Sequence, residues 1–193
     1  MTTSIWWIRR DMRLEDNGAL RSATASGSVV PLFVVDPAFA TASETRRAYM
    51  FATLRSLDEA TGGAVVLRYG KPHEVIPAFT KFVGAESVHM AADFAPYGRK
   101  RDEKVRVALA ENQKKLVVAD TPYAVRPGTV VKDDATPLKV FTPFYKRWLG
   151  FLPEHLSDVD VQFADRRELS EGYPSVDSDI YSRWPIGEDA VWA

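Results

Sequence analysis

The chain of 193 residues contains no cysteine, and its three histidines are scattered. The lack of cysteine excludes disulfides, thiol catalysis and iron–sulfur clusters, and it fits a cytosolic protein. His73, His89 and His155 do not have the spacing of a metal site, and no Ser-His-Asp arrangement is suggested. His89 lies on a predicted strand, where we expect it to pack rather than to catalyse.

Long apolar runs and an excess of one charge are lacking too. No segment approaches the ~20 apolar residues of a membrane span, and the chain enters its first strand without the basic and apolar segments of a signal peptide. With 25 Lys and Arg against 26 Asp and Glu, the net charge is −1. No overall field therefore attracts nucleic acid or an anionic membrane. We expect a cytoplasmic protein without membrane contacts, whose DNA contacts would need a local patch or a partner domain.

Strands and helices alternate along the first 120 residues. The predicted strands are residues 4–8, 29–35, 64–69, 87–92 and 116–119, and the predicted helices between them cover about 16–25, 43–62, 72–84 and 99–115. Strict alternation predicts an α/β fold with a parallel sheet and helices on both faces. We predict a five-stranded Rossmann-like sheet in the order 3-2-1-4-5. The Gly-x-Gly-x-x-Gly motif of dinucleotide-binding dehydrogenases and the Gly-Lys-Ser/Thr phosphate loop are both absent.

After residue 120 the chain is rich in proline and turns. Thr142 is predicted to cap a short helix over residues 143–149, with Phe144 and Trp148 stacked at the i,i+4 spacing. We expect residues 1–150 to form the α/β domain. Residues 151–193 read as an acidic linker or a tail that follows the surface, and not as a second core.

Charged residues follow the predicted strands at their carboxyl ends, where such sheets bind ligands. Arg9, Arg10, Asp11 and Arg13 follow the first strand, and Asp93 follows the fourth. Such a cluster is costly unless its members bind a ligand or one another. For the arginines the alternative is a surface salt-bridge cluster, and for Asp93 it is a helix cap or a turn.

Arg47 stands out on the second predicted helix, because the other residues on its face (50, 51 and 54) are apolar. Its guanidinium either points into a ligand crevice at the sheet edge or extends outward to pair with Asp36 or Asp11. The basic residues 99–101 are interpreted as a solvated face, since Asp102 and Glu103 offset their charge.

Four blocks of sequence together resemble the DNA photolyase and cryptochrome family. They are Trp-Trp-Ile-Arg-Arg-Asp-Met-Arg at 6–13 continued by Leu-Glu-Asp-Asn, Val-Pro-Leu-Phe-Val-Val-Asp-Pro at 30–37, Ala-Pro-Tyr-Gly-Arg-Lys-Arg-Asp at 95–102 and Phe-Thr-Pro-Phe-Tyr-Lys-Arg-Trp at 141–148. The blocks follow the family order and reach nearly to Leu149. Met12 and Ile8 replace the leucine and phenylalanine usual in the family, without changing the charges.

The resemblance implies two domains with different functions. In this family the N-terminal α/β domain holds a light-harvesting antenna chromophore. A helical C-terminal domain holds FAD, binds damaged DNA and transfers an electron to the pyrimidine dimer. Residues 186–193 look like the end of the linker and the first turn of that helical domain. The chain is thus expected to be the antenna domain of a deoxyribodipyrimidine photolyase, lacking the FAD and DNA-lesion residues and inactive alone. A cryptochrome antenna domain is the alternative, and the lesion type stays open.

The chromophore is also inferred from the resemblance. The loop Pro96-Tyr97-Gly98-Arg99 resembles the branch that binds 8-hydroxy-5-deazaflavin or a flavin more than the folate branch. FMN and methenyltetrahydrofolate stay as alternatives, and FAD is expected only in the helical domain. Carried over position by position, the chromophore contacts are Arg10, Asp36, Phe39, Arg47, Asp93 and Tyr97.

Two rival functions come from other classes. A generic nucleotide-binding domain of related topology would need a glycine-rich loop near the fourth strand, where this chain has Asp-Phe-Ala-Pro-Tyr-Gly at 93–98. A pure interaction module with an empty crevice is the second rival.

Overall fold

The computed structural model describes residues 2–25, 27–152 and 160–188. The strands are β1 (Thr2–Ile8), β2 (Gly27–Val35), β3 (Val66–Tyr69), β4 (Ser87–Met90) and β5 (Lys115–Val118). The α-helices are α1 (Gly18–Thr24), α2 (Glu44–Ala60), α3 (Pro72–Phe82), α4 (Pro96–Glu111) and α5 (Phe141–Leu149). None of the helices within these ranges is both long and apolar enough to cross a membrane.

The five strands form one parallel sheet in the order β3-β2-β1-β4-β5. The predicted order is therefore confirmed. β1 lies at the centre, and its chain neighbour β2 pairs on one side while β4 pairs on the other. The strand order reverses between β1 and β4, and in open α/β sheets the crevice at such a reversal is where ligands bind.

Side chains of β1 alternate between two cores, one on each face of the sheet. Trp7 packs in a cluster that includes Ile76 of α3, and Trp6 packs with Leu20 of α1 on the other face. The exposed fractions of Trp6 and Trp7 are 0% and 1%, so the prediction that both belong to the core is confirmed. A strand covered on both faces is apolar along most of its length, which is why β1 carries no clear polar alternation.

Local signals set most helix ends. Asn17 caps α1 by accepting the Leu20 N–H at 3.0 Å, and Ser43 caps α2. α4 begins at Pro96, three residues before the predicted start at Arg99, because proline suits the first turn, where a backbone N–H has no partner within the helix.

Residues 160–188 lie against the β3 side of the sheet. Ala164 donates its N–H to the Val29 carbonyl at 2.8 Å, and Glu171 donates its N–H to the Leu67 carbonyl at 2.9 Å. Near the end of this segment, the Glu188 carboxylate accepts the N–H groups of positions 14 and 15 at 2.8 and 2.9 Å. The segment covers the open edge of the sheet, and residues 189–193, within the predicted first turn of a helical domain, lie outside the described residues.

α5 differs from its prediction. The helix begins at Phe141 with no side-chain cap, so the predicted Thr142 cap is wrong. A proline in the first turn displaces no helical hydrogen bond, so Pro143 does not have to start the helix. The stacked rings are Tyr145 with Phe141 at 5.6 Å and Tyr145 with Trp148 at 6.2 Å, instead of the predicted pair. Spacing alone could not choose among these aromatic pairs.

Candidate functional site

A cavity of about 640 Å³ opens at the carboxyl edge of the sheet, at the strand-order reversal. Its volume lies within the range of roughly 300–1,000 Å³ typical of cofactor pockets. Five of the six predicted site residues line it, namely Arg10, Asp36, Phe39, Asp93 and Tyr97. The loops after β1 and β4 thus meet at one site, as predicted from the charge at the two strand ends.

Arg47 is the predicted site residue that does not line the cavity. It is exposed and lies in the first turn of α2, before the first buried residue of the helix, Ala48. The interpretation of Arg47 as a charge on a buried stripe is therefore wrong, because the core does not yet cover this turn. Its neighbour Arg46 lines the cavity together with Tyr49 and Met50. These three residues have the i, i+3, i+4 spacing of one helix face.

The cavity has an apolar wall. Trp7, Ile8, Phe33, Phe39 and Met50 contribute side chains to its lining. Trp7 and Phe33 also belong to the buried core, so this part of the wall is held by close packing. A closely packed apolar wall that contains aromatic rings suits a planar ring system.

Two arginines that line one side of the cavity, Arg9 and Arg101, share one carboxylate, that of Asp102. Asp102 accepts two hydrogen bonds from Arg9 Nη1, at 2.7 and 2.8 Å, and two from Arg101, at 2.8 and 2.9 Å. Both guanidiniums lie over the ring of Trp7, 4.6 and 5.2 Å from its centroid. Arg9 also donates to the Ala91 carbonyl. Burial lowers the pKa of Arg9 from its usual value, and the charge of Asp102 opposes this shift.

Asp93 is held in place by α4. Its carboxylate accepts the Ala95 N–H at 3.0 Å and a hydrogen bond from Arg101 at 3.3 Å. A Cβ at Gly98 would overlap the Asp93 carboxylate, so the carboxylate occupies space that only glycine leaves open. Burial alone would raise the pKa of Asp93, but the backbone N–H and the surrounding arginines outweigh it and lower this pKa. Asp93 is therefore an ionised acceptor at neutral pH.

Asp36 and Tyr97 connect the loops that follow β2 and β4. The Tyr97 hydroxyl donates to the Asp36 carboxylate, which also accepts the Ala38 N–H at 3.0 Å. Burial and the neighbouring carboxylate together raise the pKa of Tyr97 to about 12. Tyr97 thus stays protonated at neutral pH, and the contact closes one side of the cavity.

The charged residues after β1 divide into two roles. Asp11 is buried and accepts the Trp6 indole N–H at 3.4 Å, while Arg13 donates to the Glu15 and Asp16 carbonyls. Asp11 and Arg13 therefore stabilise the loop through hydrogen bonds to an indole ring and to the backbone, and the ion pair of this cluster is the one between Arg9 and Asp102. Arg10 is exposed and faces the cavity.

Sequence reasoning missed Arg46 and Arg101. Arg101 was interpreted as part of a solvated face, but its side chain is 15% exposed, pairs with Asp93 and Asp102, and lines the cavity. The available signal was helical spacing, because Arg101 follows Tyr97 by one turn and must share its face.

The cavity lining has a surplus of positive charge. Four arginines (9, 10, 46 and 101) and two aspartates (36 and 93) line it, and Asp102 behind the wall offsets one more charge. Within the described ranges no carboxylate forms an ion pair with Arg10 or Arg46. Unpaired guanidiniums at an open cavity favour an anionic ligand. In the same ranges no group of three His, Cys, Asp or Glu side chains could hold a metal ion.

His89 lies outside the cavity, on β4. Its ring nitrogens contact the hydroxyls of Ser22 and Ser87, both at 2.8 Å, and its exposed fraction is 4%. Burial lowers the pKa of His89. The residue therefore packs within the core, as expected.

Comparison with known proteins places these features in context. The family model for DNA photolyase matches residues 4–162. Deoxyribodipyrimidine photo-lyase of Thermus thermophilus is 37% identical over 147 residues, which cover 75% of this chain and 33% of the relative. The enzyme of the same name from a Synechococcus species is 32% identical over 151 residues, covering 75% and 31%. The chain thus spans about a third of the length of the curated relatives it matches.

Solved structures show the same fold. A cryptochrome of a Synechocystis species has a TM-score of 0.77 at 15% identity, covering 93% of this chain and 40% of that chain. An archaeal photolyase of Sulfolobus tokodaii, described as containing two FAD molecules with the implication of a novel light-harvesting cofactor, has a TM-score of 0.72 at 24% identity, covering 84% of this chain and 38% of that chain. At these identities the likeness concerns the fold alone.

Proposed function

The chain belongs to the DNA photolyase family, and we propose that it is the light-harvesting antenna domain of a deoxyribodipyrimidine photolyase. The observation that carries the proposal is the cavity at the strand-order reversal, with its apolar wall and surplus of positive charge. A planar chromophore with an anionic tail fits both properties.

Different residues around the cavity would contact different parts of such a chromophore. Phe39 and Tyr97 would flank the ring, and the ionised Asp93 would accept hydrogen bonds from its N–H groups. Arg10 and Arg46 would bind the negatively charged group of the chromophore, which in FMN is the phosphate of its tail. The Tyr97 loop favours 8-hydroxy-5-deazaflavin, with FMN and methenyltetrahydrofolate as alternatives. The bound group would absorb light and pass excitation energy on, and the chain's own part is to bind and orient it and to exclude water from its ring.

We do not assign the repair chemistry to these 193 residues. The matched region is about a third of the relatives, and we assign FAD-dependent cleavage of the lesion and the binding of damaged DNA to the remaining two thirds. The 193 residues alone should therefore show no light-driven repair of damaged DNA. A cryptochrome antenna domain is the second candidate, because the four sequence blocks resemble photolyases and cryptochromes alike.

Ligand titration tests the proposal. Purified protein would be titrated with 8-hydroxy-5-deazaflavin, FMN and methenyltetrahydrofolate, with chromophore fluorescence as the readout. We expect saturable binding of one of the three, with the deazaflavin bound tightest. If none of them binds, the antenna function is wrong and an interaction module becomes the better interpretation.

A further inference from the structure

The indole of Trp7 forms part of the cavity wall, although the residue is only 1% exposed. A chromophore ring in the cavity would therefore lie close to this indole. Indole is among the most readily oxidised side chains. One electron would leave it and reduce a chromophore that has absorbed light, and the return of the electron would restore both groups with the excitation lost as heat. An indole at this position, without further control, would quench a light-harvesting group in the cavity.

Two guanidiniums cover the Trp7 ring. Those of Arg9 and Arg101 lie 4.6 and 5.2 Å from its centroid. The electron-rich face of a neutral ring attracts such cations. An indole that has lost an electron carries a positive charge, so the attraction would become a repulsion. Both contacts therefore stabilise the neutral indole and make its oxidation more costly.

The two guanidiniums are fixed in place and only slightly exposed. Asp102 bonds to both, and the side chains of Arg9 and Arg101 are 10% and 15% exposed. At such low exposure water and salt screen their charges much less than at an open surface. The four arginines that line the cavity also outnumber the nearby carboxylates, which belong to Asp36, Asp93 and Asp102. The surroundings of the Trp7 ring therefore keep a positive charge.

The neighbouring tryptophan of β1 has the opposite surroundings. The Trp6 indole N–H donates to the buried Asp11 carboxylate at 3.4 Å, and a negative group of this kind makes oxidation easier. Trp6 packs with Leu20 on the other face of the sheet. Of these two adjacent indoles, the one at the cavity is thus the one that cations cover.

We propose that Arg9 and Arg101 protect the excited state of a bound chromophore by keeping Trp7 from donating an electron to it. This inference rests on the proposed antenna function and adds a role for two arginines that depends on their contact with Trp7. The excitation of the bound group would then last long enough to be passed on.

The fluorescence lifetime of bound 8-hydroxy-5-deazaflavin tests the proposal. It is measured with the protein saturated, so that changes in affinity do not affect it. Arg101→Gln removes one cation and leaves Asp102 paired with Arg9. The lifetime should shorten by at least about twofold, because a unit charge 5.2 Å from the ring no longer opposes oxidation. Trp7→Phe should leave the wild-type lifetime unchanged and should restore the lifetime when combined with Arg101→Gln.

Two further proteins control for structural effects. Arg99→Gln makes the same change of charge at an exposed position of α4 and should leave the lifetime unchanged. Biosynthetic replacement of tryptophan by 5-fluorotryptophan gives an indole of nearly the same size that is harder to oxidise. It should restore the lifetime of Arg101→Gln as well, and it keeps the test open if Trp7→Phe does not fold.

Three results would overturn the protective role. The lifetime could stay unchanged in Arg101→Gln, it could lengthen in Trp7→Phe alone, or it could shorten in Arg101→Gln without being restored by either replacement of tryptophan. In the last case another group, such as Tyr97, would be the quencher. Failure of the deazaflavin, FMN and methenyltetrahydrofolate to bind at all would instead refute the antenna function, and the protective role with it.

Discussion

Replacing Asp102 with asparagine should destabilise the domain strongly. Its carboxylate is 12% exposed and bonds to both Arg9 and Arg101, whose side chains are 10% and 15% exposed. Asparagine keeps the size of the side chain but removes its charge. The two guanidiniums would then lie side by side over the Trp7 ring, with Asp93 as the remaining carboxylate in contact with Arg101.

The size of the effect follows from burial. Removing one partner of a buried ion pair costs about 3–5 kcal/mol. The asparagine carbonyl still accepts one hydrogen bond and the pair is slightly exposed, so we expect a loss of about 2–4 kcal/mol in the free energy of unfolding. With a urea m-value of about 2 kcal/mol/M, the midpoint should fall by about 1–2 M. Urea unfolding followed by tryptophan fluorescence measures this shift.

Glu103→Gln is the matched control. It makes the same change of charge at the next position, where Glu103 pairs with Arg106 in solvent. Pairs of this kind contribute little to stability, so the midpoint should stay nearly constant. Equal midpoint shifts in the two variants would refute the reasoning, since they would show that the arginine pair does not depend on the Asp102 charge.

Two further predictions concern the site and the core. Arg46→Ala should weaken binding of an anionic-tailed chromophore by about tenfold in a fluorescence titration, because a charge-assisted contact is lost but partly screened by solvent. Arg47→Ala, one position along and outside the cavity, should leave binding unchanged, and the opposite ranking would restore Arg47 to the site. His89 has its pKa lowered in the folded state, so the unfolded chain binds protons first as the pH falls. Its contribution to stability is complete above about pH 6.5, the unfolded value, and decreases as the pH falls towards the folded pKa. Urea midpoints between pH 7.5 and 5 should therefore fall more steeply in wild type than in His89→Asn, and parallel profiles would contradict this.

The fold was predictable because its signals are local and repeated. Alternating strands and helices with short connections allow few sheet orders, and the adjacent tryptophans of β1 placed one side chain on each face. The errors fall where two local signals compete. At the start of α4, a proline three residues earlier took the first helical position, and in α5 several aromatic pairs had spacings compatible with contact.

The candidate site was predictable only in part, for a physical reason. Charges that directly follow a strand must lie at the sheet edge, so Arg10, Asp36 and Asp93 were found. Whether a helical residue faces the site depends on how the helix is rotated about its axis and on where the core begins to cover it. For this reason Arg46 lines the cavity and Arg47 does not. Arg101 could have been found from its helical spacing to Tyr97, but its pairing with Asp102, which also binds Arg9 from 93 positions away in the chain, is a long-range contact that no local pattern predicts.

The central position of β1 has a consequence for synthesis on the ribosome. β1 is made first, yet its partner β4 pairs through Ser4 and Ser87, 83 positions apart. At roughly 5–20 residues per second, β1 stays without its second neighbour for roughly 4–17 s. The open edge of β3 stays uncovered still longer, because the Leu67 N–H donates to the hydroxyl of Ser170, which lies 103 positions later in the chain. During these intervals the nascent chain exposes the apolar residues of β1, and this is when chaperones would matter most for its yield.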